Sequence, residues 1–145
     1  MQFEYVEHVG LTVSDLERSV RFYSALLGEA PFYRATEERP YLGQVVGYPG
    51  CRLAIADLHL PGTDTFLELL QYLEPIGEDI DMETANPGNG HICFVVSDME
   101  REYERIKAIG GDFRNPGPVD RADGGRAVYF RDPDGISIEL QEPPR

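Results

Sequence analysis

The sequence predicts an α+β fold made of two βαβββ modules that form a curved mixed sheet around one cleft. Three observations predict it. The chain repeats itself: laid over each other from His8 and from His91, two stretches agree in His, Val, Ser, Asp, Glu and Arg within eleven positions. In each stretch apolar residues alternate with period two and then recur at helical spacing. Each half also ends on a strand-like segment with a glutamate in the same place, FLELLQY in one and ISIELQE in the other.

The elements follow in order. In HVGLTVSD, Val9, Leu11 and Val13 oppose His8, Gly10 and Thr12; in HICFVVSD, Ile92, Phe94 and Val96 oppose His91, Cys93 and Val95. Period two makes each a strand with one packed face and the histidine on the other. Ser14 with Glu17, and Ser97 with Glu100, match the helix-opening pattern S-x-x-E. Leu16, Val20, Tyr23 and Leu27 then form one apolar stripe, stopped by Gly28; Met99, Tyr103, Ile106 and Ile109 form the other, stopped by Gly110-Gly111. Further strands are expected at roughly 41–48, 51–60 and 65–72, and at roughly 112–114, 126–131 and 136–142. The turn Asp132-Pro133-Asp134-Gly135 joins the last two. Module one covers about 4–73 and module two about 89–142. Residues 74–88 lie in an acidic stretch with Pro and Gly and read as a linker, all within a single domain of 1–145.

Alternation places Glu68 with Phe66, Leu70 and Tyr72, and Glu139 with Ser137 and Gln141, opposite the helix-packing side. Each module therefore offers one histidine and one glutamate on its non-helical face. Two such modules facing one cleft would bring His8, Glu68, His91 and Glu139 together. Two imidazoles and two carboxylates suit one divalent ion of the first row, Zn, Ni, Co, Mn or Fe, with room left for water or substrate. His59 has no counterpart in the repeat and is expected at the surface.

Composition narrows the partners. A net charge of −13 argues against nucleic acid and against anionic membranes. No apolar run is long enough to span a bilayer and no signal peptide is apparent, so a cytoplasmic location is expected. Cys51 and Cys93 are isolated and read as small buried apolar residues.

The segments HVGLTVSDLERSVRFYSALLG, FLELLQY, GHICFVVSDMERE and AVYFRDPDGISIEL together resemble the vicinal oxygen chelate superfamily, which includes glyoxalase I, extradiol dioxygenases and the fosfomycin- and bleomycin-resistance proteins. The resemblance implies a homodimer with metal ligands at His8, Glu68, His91 and Glu139. It implies Glu139 as the mobile base, and Glu68 as the fixed ligand or second base. The nearest activity is that of a metal-dependent lyase or isomerase, like lactoylglutathione lyase, moving a proton on a small oxygenated substrate. An Fe(II) extradiol dioxygenase would use His8, His91 and Glu139 and leave Glu68 without a role. A metal-free binding protein of the bleomycin-resistance type would use the acidic surface instead. Arg34, Arg39, Arg52 and Arg126 are the candidates for holding the carboxylates of a glutathione substrate.

Overall fold

The structure is a computed structural model that describes residues 2–144. It is α+β with two sheets, and the chain divides into two compact units, one ending at Asp79 and one beginning at Ile80.

In the first unit the order is β1 (His8–Thr12), α1 (Leu16–Leu27), β2 (Tyr33–Glu37), α2 (Pro40–Val46), β3 (Arg52–His59) and β4 (Phe66–Glu74). The strands lie in the order β1-β4-β3-β2, with β1 parallel to β4 and the remaining pairs antiparallel. The second unit repeats this with β5 (His91–Val95), α3 (Met99–Ala108), β6 (Asp112–Phe113), β7 (Val119–Asp120), β8 (Arg126–Arg131) and β9 (Ser137–Glu142). Its order is β5-β9-β8-β6, with β7 pairing β8. In both units the first strand lies parallel to the last, so the histidine strand and the glutamate strand are neighbours.

The helices bury the expected stripes except at their C-terminal ends, where Leu27 and Ile109 are half-buried. Leu16, Val20 and Tyr23 of α1 are buried, as are Leu67, Leu69, Ala56 and Leu58 on the strands it contacts. In the second unit Met99, Tyr103 and Ile106 are buried, and so are Val128, Phe130, Ile138 and Leu140. Gly28 ends α1 at φ 73°, a left-handed conformation that glycine adopts without a Cβ clash. At Gly111 the limit is space, because a Cβ there would stand 2.4 Å from a methyl of Ile106.

Helix entry differs from the expectation. The caps are Asp15 and Asp98, whose carboxylates accept from the backbone N–H of Arg18 at 3.0 Å and of Arg101 at 3.1 Å. Each helix starts one residue later than a serine cap requires. A carboxylate next to the serine is the better acceptor at the positive helix end. Ser14 instead accepts from the guanidinium of Arg18. Asp15→Ala is expected to cost about 1 kcal/mol in urea unfolding. Ser14→Ala, a change at an exposed position outside the cap, should stay within about 0.5 kcal/mol.

Residues 41–48 are not a strand. Pro40 opens α2, whose Leu42 and Val46, one helical turn apart, pack against Cys51, Leu53 and Ile55, as Leu70 and Tyr72 also do. Four of these, Leu53, Ile55, Leu70 and Tyr72, share the face of Glu68 by strand alternation, so α2 covers the apolar end of that face. The strand expected there is β2, at 33–37. In the second unit β7 is an addition to the expected set. The Asp132–Gly135 turn closes as expected: Gly135 N–H donates to the Asp132 carbonyl at 3.0 Å, and the buried Asp132 carboxylate accepts from the N–H of Asp134 and Ile136.

Candidate functional site

The four singled-out residues come together in pairs, one pair within each unit. In the first unit β1 and β4 run parallel with His8 beside Phe66 and Gly10 beside Glu68. Glycine leaves the space over β1 open, so the two side chains lean together, with His8 Nε2 3.5 Å from Glu68 Oε1. On its other nitrogen His8 meets Glu7, Nδ1 to Oε2 at 3.3 Å. In the Nδ1–H tautomer that contact orients the ring and leaves the Nε2 lone pair free on the Glu68 side.

The second pair is held more tightly. His91 Nε2 lies 3.1 Å from Glu139 Oε2, and the Tyr129 hydroxyl is 3.0 Å from both atoms. Gln141 donates its amide to Glu139 Oε1 at 2.7 Å, and Arg121 donates to Gln141 Oε1 at 2.7 Å. Both Glu139 oxygens are therefore engaged. Burial alone would raise the Glu139 pKa, but the donors Gln141 and Tyr129, His91 and the Cys93 thiol outweigh it and the net shift is downward. Tyr129 is pushed up to about 12, by burial first and then by its bond to Glu139, so it remains a donor across the physiological range.

Two neighbours were not singled out from sequence, and a third, Gln141, is placed on the Glu139 face there without a role. Tyr129 pairs with Glu139 across β8–β9, and Asp57 pairs with Glu68 across β3–β4. They occupy equivalent places in the repeat. Gln141 lies two residues along β9 on the same face. Alternation on 126–131 and 51–60 would have placed Tyr129 and Asp57 on the site face had the ladder register been known. Cys51 is buried as expected, but Cys93 is exposed. It stands opposite Glu139 on the His91 face of β5, which the alternation of that strand itself implies. Partial burial and the Glu139 charge raise its pKa, keeping it a thiol.

Asp57 is only 7% exposed, and its pKa is raised to about 6, by burial first and then by the Glu68 charge, with His8 opposing. A carboxyl shifted upward stabilises the fold fully below the ordinary carboxylate range, and that contribution is lost as pH rises to about 6. In chelator-treated protein, the unfolding midpoint of Asp57→Asn relative to wild type is therefore expected to improve between pH of about 4 and about 6. Parallel curves for the two proteins would contradict this.

Two of the four candidate arginines fall on the helix side. Arg34 alternates with Tyr33 onto the helix side and pairs with Glu17 of α1. Arg126 lies on the Val128 and Phe130 side between Glu100 and Glu142, which push its pKa further above the usual arginine range. Arg39 pairs with Glu37 at 2.7 Å and Arg52 with Glu38 at 3.5 Å. His59 is exposed and stacks on Phe32, ring centroids 4.2 Å apart.

In the second unit a cavity of about 520 Å³ is lined by Thr84, Arg114, Asn115, Val119, Ala127 and Tyr129. Tyr129 thus belongs both to this cavity and to the His91–Glu139 pair. Arg114 at its rim is held by both oxygens of Glu83 at 2.6 Å. Among the described residues no three His, Cys, Asp or Glu side chains form a group able to hold a metal ion, and no helix is long and apolar enough to cross a membrane.

Known proteins share this architecture and sequence. Lactoylglutathione lyase from Salmonella typhimurium is 35% identical over 140 residues, covering 93% of this chain and 90% of that protein. A probable chloroplastic lactoylglutathione lyase from Arabidopsis thaliana is 32% identical over 93% of this chain, which spans only 35% of that relative's length. The crystal structure of a glyoxalase family protein from Bacillus cereus has the same fold, with a TM-score of 0.89 at 22% identity, covering 100% of this chain and 97% of that one. The sequence model that matches residues 5–140 places the chain in its family: it belongs to the Glyoxalase/Bleomycin resistance protein/Dioxygenase superfamily.

Proposed function

We propose that the protein is a metal-dependent lyase or isomerase of the glyoxalase I type, moving a proton on a small oxygenated substrate. The observation that carries this reading is the duplicated His–Glu pair, His8 with Glu68 and His91 with Glu139. Similarity to the Salmonella lactoylglutathione lyase supports the reaction class.

The donor set fits a divalent first-row ion. Two ligands bound at about 2.1 Å on adjacent positions of an octahedron or tetrahedron stand about 3.0–3.4 Å apart. The Nε2-to-carboxylate separations of 3.5 and 3.1 Å are close to that spacing. Each unit supplies two of the four ligands, and the reading requires both pairs to reach one ion, within one chain or across a homodimer. Zn, Ni, Co, Mn and Fe all suit two imidazoles with two carboxylates. A bound ion would supply Lewis-acid stabilisation of negative charge on a substrate oxygen.

The chain's own residues do the rest. Glu139, with its pKa lowered and its two oxygens oriented by Gln141 and Tyr129, is ionised at neutral pH and takes a proton from the substrate carbon. It returns that proton to the same or the adjacent carbon. Tyr129 holds the carboxylate and lines the cavity in which a small substrate would sit. Arg34 and Arg126 face the helices, which leaves Arg39 and Arg52 as the candidates for the carboxylates of a glutathione substrate.

Metal analysis of chelated and reconstituted protein tests the reading, followed by solvent deuterium incorporation next to a carbonyl. Binding of a first-row ion tighter than about millimolar, with metal-dependent exchange, is expected. Failure to bind any such ion would leave a protein that sequesters a ligand without metal.

A further inference from the structure

The two halves of the repeat differ at one place beside the paired residues. Across the ladder from Glu139, β8 carries Tyr129, a neutral donor that satisfies the glutamate. Across the ladder from Glu68, β3 carries Asp57, a second acceptor. Two carboxylates side by side repel each other, and neither can donate to the other while ionised. Asp57 is more than nine-tenths buried, yet its Oδ1 has no hydrogen-bond partner among the described residues. Buried carboxylate oxygens are rarely left so, because burial without a donor or a cation is costly.

The groups around it do not supply the missing donor. Strand alternation puts Glu68 of β4, His8 of β1 and Tyr33 of β2 on the same face, with Glu7 adjacent to His8. The Tyr33 hydroxyl is given to Glu37 and His8 Nδ1 to Glu7. The first unit thus presents an orphaned carboxylate oxygen on the face that carries the His8–Glu68 pair. A cation held at that pair would lower the cost of leaving this carboxylate charged.

We propose that Asp57 is an outer carboxylate beside the metal site, not a ligand, contributing negative charge to a divalent cation held at His8 and Glu68. This rests on the metal-dependent reading above. The residue destabilises the metal-free protein, and binding of the cation relieves that destabilisation. A purely structural residue would not show this combination, since its loss would weaken the fold and binding together.

The test uses the full chain, stripped with chelator and titrated calorimetrically with Mn²⁺, alongside thermal melts of the metal-free form. Asp57→Asn is expected to raise the metal-free melting temperature by roughly 2–6 °C. The same substitution is expected to weaken Mn²⁺ binding at least about tenfold, through loss of a nearby negative charge. Asp57→Ala, which adds no new donor beside Glu68, must show the same loss of affinity. Unchanged Mn²⁺ affinity in either variant, against wild type that binds, overturns this inference and leaves the four-ligand reading intact. A lower melting temperature for metal-free Asp57→Asn also overturns it, by making the residue a structural one. Wild type that binds no metal overturns both.

Discussion

Replacing Glu139 with Gln is expected to slow solvent deuterium incorporation by about 10²–10⁴-fold, the range over which a positioned general base contributes to rate. The substitution keeps the shape of the side chain but removes its ability to accept a proton. The new amide offers one carbonyl to two former donors, so the Tyr129 hydroxyl oxygen accepts from its NH2 when the carbonyl faces Gln141. Gln141, which donates to Oε1 at 2.7 Å in the wild type, would face either a carbonyl or an amine, and the side chain can turn to present the carbonyl. The fold should therefore survive, as circular dichroism and a thermal melt would show. Its stability should depend less on pH, because the Glu139 pKa is lowered in the fold. A lowered pKa stabilises above the ordinary carboxylate range, and that contribution is lost as pH falls through the folded value. Exchange at the wild-type rate in Glu139→Gln would reduce Glu139 to a ligand. Loss of exchange in Glu68→Gln alone would transfer the base to the first unit.

The second large effect is on metal retention. His8→Ala and His91→Ala are each expected to weaken binding by more than about 100-fold, since losing even an outer partner of a metal ligand commonly costs 10–100-fold. Glu68→Gln should weaken binding without abolishing it, because an amide oxygen still coordinates but without charge. Stoichiometry by elemental analysis decides how the pairs are used. One ion per His8/Glu68/His91/Glu139 set, lost in either histidine variant, is the expected result. Two independent ions, each lost with only its own histidine, would mean that the pairs act separately and would end the four-ligand reading.

Much of this was legible in the chain itself. The repeat from His8 and His91, the stripes of α1 and α3, and the alternation of the first and last strand of each half are local patterns. Period two alone places His8 and Glu68, or His91 and Glu139, on the non-helical side of a strand. Local chemistry also made the Asp132–Gly135 turn readable, since its Asp binds two backbone N–H groups within four residues. The apolar stripes needed no partner to be recognised, because burial of one helix face is a property of spacing.

What only the tertiary structure decided depends on contacts distant in sequence. The segment from Pro40 to Val46 is short and apolar enough for either a strand or a helix. The helix wins because Leu42 and Val46 can then cover Leu53 and Ile55, which share the sheet face of Glu68 with Leu70 and Tyr72. Tyr33–Glu37 has a weak strand pattern of its own and becomes β2 through its ladder with β3. Asp15 and Ser14 compete for one helix terminus, and the carboxylate takes it. The partners of the site are the largest gap. Tyr129, Cys93 and Asp57 lie beside the glutamates through ladder register and strand order, which join residues ten to forty-six positions apart in the chain. Alternation tells which face a residue takes, but only the paired backbones tell which residue stands next to it. Hydrogen bonding and desolvation act between those neighbours, so the lowered pKa of Glu139 and the orphaned oxygen of Asp57 exist only in the folded chain.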